Sequence, residues 1–367
     1  MDAVKVFDTD AHVEESEETF ASLKEEFGDA APRVIEGAKR AFWLIEGRTF
    51  PRLAGFGVHT FGSPHLKRDA GHVDPERRAR VESQELRDPR ARLEDMDHEG
   101  IDVSVVFPTM FLVWPLAESP ALARALCRSY NAWIAQKCAA SNSRIRWVAT
   151  VPLPDVEGSV EETRRAKKLG ASGVMTLGTA GHLKLDDRRL DPFYRECESQ
   201  ALPVCVHVGW SYPPISELYD NVYETMITPF LLPVFMAFSS ILIGGVLERF
   251  PGLKVGFFEA GVEWVPFWLD RMERFYKQPP GGSKKSDLPA CNPREYVAAG
   301  RVYFSCELDE ARIAMVADAI GDECIVYSSD LPHAHRVFDA IALFRGRQDV
   351  AERTKMRILA NGARFFG

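Results

Sequence analysis

The chain has 367 residues, 46% of them hydrophobic, which suits one α/β barrel with insertions. Its formal net charge is −8 and it has no run of five basic residues, so nucleic acid and anionic membrane surfaces are poor candidate partners. The seven cysteines include no CxxC pair, which argues against a disulfide framework or a cysteine metal site and favours a reducing cytoplasm.

Eight short apolar runs, rich in β-branched and aromatic residues, predict buried strands. In chain order they are Val4–Thr9, Ile101–Pro108, Ile145–Val151, Gly173–Leu177, Pro203–Val208, Leu253–Glu259, Arg301–Cys306 and Cys324–Ser329. The helical patterns between them are Asp88–Glu99, Ser119–Ala140, Ser159–Leu169, Asp191–Ser199, Ile241–Phe250 and Leu308–Ile320. This repeated alternation of strand and helix predicts an α/β fold of the (β/α)8 TIM-barrel type.

Two insertions interrupt the alternation. Residues 13–87 follow the first predicted strand and contain a hairpin signal, AFWLIEGRTF, with Glu46 and Gly47 at its tip. Residues 209–240 follow the fifth strand. Both insertions leave from the strand ends where barrel enzymes bind substrates, so each could be a lid or could only support packing. No linker separates a second domain, and we expect residues 1–367 to form one barrel domain.

An uncharged stretch, Ile227–Val246, is long enough to cross a membrane. It is interrupted by Pro229, Pro233 and the pair Gly244 and Gly245, which favours a buried helix pair over a membrane span. A wide apolar face of this kind is typical of a subunit interface, so we expect a homodimer.

Metal-binding residue types occur at the ends of four predicted strands that lie far apart in sequence. They are Asp10 and His12 in VFDTDAH, His207 in PVCVHVG, Glu259 in LKVGFFEAG and Asp330 in CIVYSSDLPH. Histidine nitrogens and carboxylate oxygens are ligands of a divalent cation such as zinc. Each residue alone is more often a core or turn residue. All strands of a parallel barrel end at one rim, however, and the joint pattern therefore predicts one metal site.

Further motifs follow in a characteristic order along nearly the whole chain. They are RLEDMDHEGIDVSVVFPT (Arg92–Thr109), Leu190–Phe193, LERFPGLKV (Leu247–Val255), SSDLPH and ILANGARFF (Ile358–Phe366). With these motifs the chain resembles the amidohydrolase superfamily, in the branch of aminocarboxymuconate-semialdehyde decarboxylase and γ-resorcylate decarboxylase.

The resemblance implies a mononuclear metal site. Its ligands would be Asp10, His12, His207 and Asp330, and the expected metal is zinc, with manganese and iron as alternatives. The fourth strand, GVMTLG, agrees with one metal, because it offers Thr176 but no lysine or glutamate to bridge a second.

The sixth strand departs from the family pattern. Family decarboxylases carry a histidine there, in a His-Gly-Gly-like turn, whereas this chain has Glu259. Glu259 could be a general base, a proton donor or a further ligand, or it could pair with an arginine such as Arg271 or Arg274. With Asp330 as the proton shuttle, this carboxylate favours a metal-dependent hydrolase acting on a small carboxylate-bearing or cyclic molecule.

Two rival functions remain open at this point. One is non-oxidative decarboxylation of an aromatic or unsaturated carboxylic acid. The other is a binding protein that kept the barrel and lost catalysis, which the intact ligand set disfavours. For either enzyme, His333 and Arg271 are the candidate substrate-binding residues, and Arg48 and Arg52 are further candidates for holding a carboxylate.

Overall fold

The structure is a computed structural model that describes residues 5–37, 41–52, 57, 79–284, 287–333 and 336–367. At its centre is one sheet of eight strands, each parallel to and paired with the next along the chain. The strands are β1 (Phe7–Val13), β2 (Val103–Pro108), β3 (Ile145–Thr150), β4 (Gly173–Leu177), β5 (Val204–His207), β6 (Val255–Phe258), β7 (Val302–Cys306) and β8 (Ile325–Tyr327).

The first and last strands close this sheet into a barrel. The backbone N–H of Asp330 donates to the carbonyl of Asp10 over 2.9 Å, and that of His12 donates to the carbonyl of Leu331 over 2.7 Å. The predicted (β/α)8 barrel is therefore confirmed. Its closure brings the carboxyl ends of β1 and β8 side by side.

A longer helix follows each strand and packs on the outside of the barrel. These helices are α1 (Pro89–Glu99), α2 (Pro120–Cys138), α3 (Val156–Leu169), α4 (Asp191–Ser199), α5 (Leu232–Ile243), α6 (Val265–Lys277), α7 (Ile313–Ile320) and α8 (Glu352–Ala360). Shorter α-helices are Glu17–Phe20, Leu23–Phe27, Val81–Gln84, Pro213–Ser216, Val222–Ile227, Val246–Arg249, Pro293–Ala298, Ala340–Gly346 and Gly362–Phe366. Turns of 3-10 helix are Gly28–Ala30, Met110–Leu112, Ala139–Ser141 and Arg188–Leu190.

Two predicted helix boundaries are wrong for identifiable reasons. Helix α3 begins at Val156 rather than at Ser159, because Asp155 is the capping residue and accepts from the N–H of Gly158 over 3.0 Å. The predicted helix Ile241–Phe250 does not exist as one element. Helix α5 ends before the glycine pair, where Gly245 adopts a φ of 70°, a left-handed conformation that ends a helix.

By length and composition, the segment Val222–Ile243 could span a membrane, with a mean hydropathy of 2.1 and 44% of it buried within the chain. It contains two helices, Val222–Ile227 and α5, and α5 packs on the barrel through fully buried side chains such as Val234 and Phe238. This packing agrees with the predicted buried helix. A subunit interface at its exposed side stays a prediction.

The insertion after β1 contributes a small antiparallel sheet of Arg33–Glu36, Ala41–Ile45 and Arg48–Phe50. The predicted hairpin is confirmed, with Glu46 and Gly47 at its tip in left-handed conformations. Residues 53–56 and 58–78 of this insertion lie outside the described residues, as does Val4, where the first strand was predicted to begin. A lid role for either insertion stays a prediction.

The amino-terminal end of the barrel is closed by aromatic side chains from the last helix. The ring of Phe366 stacks on Phe7 at 6.2 Å between centroids, and Phe365 lies 5.0 Å from Tyr303. Gly362 permits this contact, because a Cβ there would lie 2.3 Å from the ring of Phe7. With this end filled, the carboxyl-terminal end is left for a functional site.

Candidate metal centre

Five side chains from β1 and from the ends of β5, β6 and β8 converge at the carboxyl-terminal rim. The Nε2 atom of His207 lies 3.3 Å from Oδ1 of Asp10, and Nε2 of His12 lies 3.5 Å from the same oxygen. The Oε2 atom of Glu259 is 3.3 Å from each of these two nitrogens. Oδ1 of Asp330 lies 3.9 Å from Nε2 of His12. We call these five residues the metal cluster.

The first two members of the metal cluster lie within a strand rather than beyond it. The first strand was predicted to end at Thr9, but β1 continues to Val13. Asp10 and His12 are two residues apart on this extended segment, so both side chains point to the same face of the sheet. Both are fully buried.

The two carboxylates at the ends of β6 and β8 are held by an unusual backbone. Glu259 and Asp330 have φ angles of 61° and 53°, in the left-handed region that residues other than glycine rarely adopt. The N–H of Glu259 donates to Oγ of Ser305 over 2.8 Å, and that of Asp330 donates to the carbonyl of Asp10. Strained backbone of this kind clusters at functional sites, where surrounding bonds maintain it.

The donor atoms of the metal cluster fit a divalent cation. One ligand atom each from Asp10, His12, His207 and Glu259 lie within 4.8 Å of one another. The Nε2 atom of His12 and the Oε2 atom of Glu259 are buried, and neither forms a hydrogen bond of good geometry within the described residues. Carboxylates buried this close together require a compensating positive charge, which a divalent ion supplies.

Without a metal, the neighbouring carboxylates favour the protonated form of both histidines. Burial alone would lower the pKa of His12, but Asp10 and Glu259 raise it well above its ordinary value. Burial is likewise the largest single effect at His207 and acts to lower its pKa, but the charge and hydrogen bond of Asp10, together with the charge of Glu259, raise it. Metal binding must therefore displace protons from these nitrogens.

We expect metal affinity to rise with pH, and each metal ion to release at least one proton at pH 7. The pKa of His12 is raised well above its ordinary value and that of His207 is raised as well, so a cation that binds must displace the proton that His12 holds. Calorimetric titration in two buffers of different ionisation enthalpy measures the number of protons released. Binding without proton release would contradict the assigned charge states.

A residue that the sequence did not single out lies next to the metal cluster. The hydroxyl of Thr109, at the end of β2, lies 3.0 Å from Nε2 of His333 and 3.5 Å from Nδ1 of His12. The opposite nitrogen of His333, Nδ1, lies 2.6 Å from Oδ1 of Asp330. The His333 ring also stacks on His12 at 4.3 Å. His333 is therefore placed to orient Asp330.

These contacts determine which ring nitrogen of His333 carries the proton. If Asp330 is ionised, Nδ1 of His333 donates to it, and Nε2 of His333 accepts from the Thr109 hydroxyl. The backbone of Thr109 is held in turn by Glu15, whose carboxyl accepts from the N–H groups of Thr109 and Met110 over 3.2 and 2.9 Å. Burial raises the pKa of Glu15 to about 8, so this carboxyl is neutral at pH 7.

Replacing Thr109 with valine should weaken metal binding and turnover by about tenfold to 100-fold, the range for residues that orient ligands. Thr109→Ser keeps the hydroxyl and should retain most of both. Metal competition against a chelator, together with steady-state kinetics, measures the two effects. Loss in the serine variant with none in the valine variant would mean that the methyl group matters rather than the hydrogen bond.

The side chain of Asp8 links three strands of the barrel, β1, β2 and β8, next to the proposed metal ligands. Its carboxylate accepts from the hydroxyls of Ser104 on β2 and Ser329 after β8, over 2.7 and 2.8 Å, and from the N–H of Ser329 over 3.0 Å. Burial raises its pKa to about 6, against the effect of these hydrogen bonds. This polar network fixes β1 against β2 and β8, and so fixes Asp10 relative to Asp330.

The candidate arginines lie away from the metal cluster. Arg271 is exposed on α6, where its guanidinium stacks on Phe275 at 5.2 Å, and the structure does not bring it to the site. The suggested pairing of Glu259 with Arg271 or Arg274 is not observed, since the ion-pair contacts of Glu259 are with His12 and His207.

Arg48 and Arg52 line a separate cavity of about 440 Å³ beside Trp114 and Trp210. Arg48 lies 3.3 Å from Glu118 in an ion pair, and Arg52 lies 3.5 Å from Glu217. None of the metal cluster residues lines this cavity within the described part of the chain. The structure therefore gives these arginines acidic partners but no contact with the cluster.

A (β/α)8 barrel with histidines and carboxylates gathered at its carboxyl-terminal rim defines a metal-dependent barrel enzyme. The sequence model of the amidohydrolase family matches residues 8–364, and the chain belongs to this family. The site is accordingly a divalent-metal site, as the donor set indicates.

Proteins similar to this chain include several decarboxylases. The chain is 26% identical over 295 residues to 2-amino-3-carboxymuconate-6-semialdehyde decarboxylase of Dictyostelium discoideum, covering 76% of each chain. It is 24% identical over 276 residues to γ-resorcylate decarboxylase of a Polaromonas species, covering 70% of this chain and 80% of that one. A structure of 5-carboxyvanillate decarboxylase from Novosphingobium aromaticivorans, with manganese and a nitrobenzoic acid bound, has a TM-score of 0.73 at 20% identity, covering 99% and 97% of the chains.

These relatives correct one prediction. The replacement of a histidine by Glu259 favoured hydrolysis, but both similar sequences are named for decarboxylation, so the hydrolase prediction is wrong. The physical reason is that the same ligand types serve either reaction. A rim carboxylate can hold a metal as readily as it can activate water.

Proposed function

We propose that this protein is a metal-dependent, non-oxidative decarboxylase of a small aromatic or unsaturated carboxylic acid. The observation that carries the proposal is the convergence of the metal cluster at the rim of a barrel whose named relatives are decarboxylases. No redox cofactor is needed, because replacing the carboxylate by a proton, with release of carbon dioxide, transfers no electrons to or from another molecule.

The proposed ligands are Asp10, His12, His207 and Asp330, with Glu259 as a fifth. The position of Glu259 supports its assignment as a ligand, since its Oε2 atom lies 3.3 Å from Nε2 of both His12 and His207. A set of two imidazoles and three carboxylates is oxygen-rich and suits manganese as well as zinc. Zinc was the expectation from sequence, and manganese is present in the related carboxyvanillate decarboxylase structure.

When bound, the metal would neutralise the substrate carboxylate and hold it at a fixed orientation. The carbon–carbon bond to the carboxylate then breaks, its electron pair stays on the substrate carbon, and a proton must be delivered there. We assign delivery of this proton to Asp330. The proton would be carried on its Oδ2 atom, because Oδ1 lies 2.6 Å from Nδ1 of His333. In this proposal His333 orients the acid, and its predicted role in binding the substrate stays a prediction.

Four further expectations belong to this proposal. The chain would act as one barrel domain, it would work in the cytoplasm, and it would assemble as a homodimer. The substrate would be a small molecule, with neither nucleic acid nor a membrane as partner. The exposed Tyr223 and Ile227 beside α5 support a subunit contact on that side.

The test is a screen for carbon dioxide release. Metal-free protein would be loaded with manganese or zinc and given acids from the class that the relatives act on, including 2,6-dihydroxybenzoate and 5-carboxyvanillate. Metal-dependent release of carbon dioxide from one acid is expected. Metal-dependent cleavage of esters, amides or lactones, with no release from any acid, would overturn the proposal.

A further inference from the structure

A second cavity, of about 490 Å³, lies at the carboxyl ends of β2, β3 and β4. Its walls come from residues 111–118 after β2, from the start of α2, from residues 150–155 and from residues 175–180. Among the described residues, none of the metal cluster lines it. We call this cavity the β2–β4 pocket. Its volume is within the range of pockets that hold small molecules.

The walls of the β2–β4 pocket are firmly held. The N–H of Trp114 donates to the carbonyl of Trp210 over 3.0 Å, and the N–H of Trp210 donates to the carbonyl of Leu112 over 2.8 Å. The indole of Trp114 lies against Gly181, where a Cβ would be 2.4 Å from the ring. Protein interiors rarely leave space of this size between close-packed elements. The pocket is therefore preformed rather than a packing defect.

The lining is mainly apolar and includes the rings of Phe111 and Trp114. Two buried hydroxyls in the lining form no hydrogen bond of good geometry among the described residues, those of Thr150, which lies beside the thiol of Cys127, and Thr176. The hydroxyl of Thr176 has no hydrogen-bond partner within the described residues, although only 5% of this residue is exposed. A buried hydroxyl without a partner costs free energy, which a ligand with a hydrogen-bonding group would recover.

The charges around the pocket favour an uncharged ligand over an anion. The charged residues in its lining are Glu118 and Asp155, both acidic. Arg48 lies 3.3 Å from Glu118 and Arg124 donates to Asp155 over 2.8 Å, but neither arginine lines the pocket. A carboxylate inside this pocket would be desolvated, and each nearby arginine is already paired with an acid.

We propose that the β2–β4 pocket binds an uncharged aromatic molecule that carries one hydrogen-bonding group. The ring packs between Phe111 and Trp114, and the polar group meets the hydroxyl of Thr176. The site does not depend on the proposed decarboxylation, because it shares no lining residue with the metal cluster.

The test uses three probes with one ring system: 2-naphthol, naphthalene and 2-naphthoate. Each is titrated by calorimetry into the full chain with a chelator present, so that the metal centre cannot bind it. We expect 2-naphthol to bind with one site per chain, and 2-naphthoate to bind at least about tenfold more weakly. Thr176→Val should weaken the binding of 2-naphthol severalfold and leave the binding of naphthalene unchanged.

Two pocket-filling variants, Ala123→Phe and Leu126→Trp, should abolish binding, and circular dichroism shows which of them is folded. His207→Ala should leave binding unchanged. The proposal is overturned if 2-naphthol does not bind, if 2-naphthoate binds equally well, if a folded filling variant binds normally, or if His207→Ala removes the site. These outcomes are independent of the carbon dioxide assay, so the pocket and the proposed function can fail separately.

Discussion

Replacing His207 with alanine is expected to remove the metal and to reduce carbon dioxide release by more than about 100-fold, the upper loss for residues that only orient a ligand. The imidazole is fully buried, and its Nε2 atom lies 3.3 Å from both Asp10 and Glu259. Its loss leaves two buried carboxylates with one fewer nitrogen donor beside them. Elemental analysis and the carbon dioxide assay measure the two effects.

Asp330→Asn separates metal binding from proton delivery. The amide cannot carry the proton, so turnover should fall by a similar factor while part of the metal is retained. The control matched to His207→Ala is His98→Ala, which changes an exposed histidine on α1 and should alter neither metal binding nor turnover. Full activity in both the His207 and the Asp330 variants would contradict the assigned site.

Glu259→Gln should weaken metal binding by about tenfold or more, because it removes a ligand charge with little change of shape. If Glu259 were only a proton donor, the same change would lower turnover and leave metal affinity intact. Glu259→His supplies the residue type that the resembling decarboxylases carry at this strand, and should bind the metal more tightly than the glutamine variant. A chelator competition assay ranks the three proteins.

The control for Glu259 is Glu263→Gln in the same loop. The carboxylate of Glu263 pairs with Arg312 over 2.6 Å at the surface and takes no part in the metal cluster. This variant should therefore bind metal as the unchanged chain does. Equal affinity in the Glu259 and Glu263 variants would show that Glu259 is not a ligand.

The barrel could be predicted from sequence because each strand is a short apolar run between helical patterns. The ligands at the strand ends then converge by topology, since every parallel strand ends at the same rim. The contact of Thr109 with His333 could not be predicted in this way. It joins residues 224 positions apart through side-chain geometry, which no local pattern encodes.

The boundaries that failed depended on local backbone conformation. The helix predicted over Ile241–Phe250 followed apolar periodicity, but Gly245 adopts a left-handed conformation that ends the element. The positive φ angles at Glu259 and Asp330 were equally hidden, because they are maintained by bonds from other strands. Tertiary contacts therefore decide the two carboxylate positions, whereas the helix end follows from the conformation of Gly245.

The reaction was the least predictable property. The hydrolase prediction rested on the residue type of Glu259 at the sixth strand, yet a carboxylate there is compatible with a ligand, a base or an acid. Its position between His12 and His207 favours a ligand, and the relatives favour decarboxylation. Residue type alone does not determine chemistry on this barrel.

The most direct test of the account is one turnover experiment in oxygen-18-labelled deuterium oxide, with whichever acid of the screen the protein consumes. Decarboxylation predicts one carbon dioxide per product molecule, and one deuterium on the carbon that had carried the carboxylate, with no oxygen gained from solvent. A product that has gained solvent oxygen and kept its carboxylate would contradict the account.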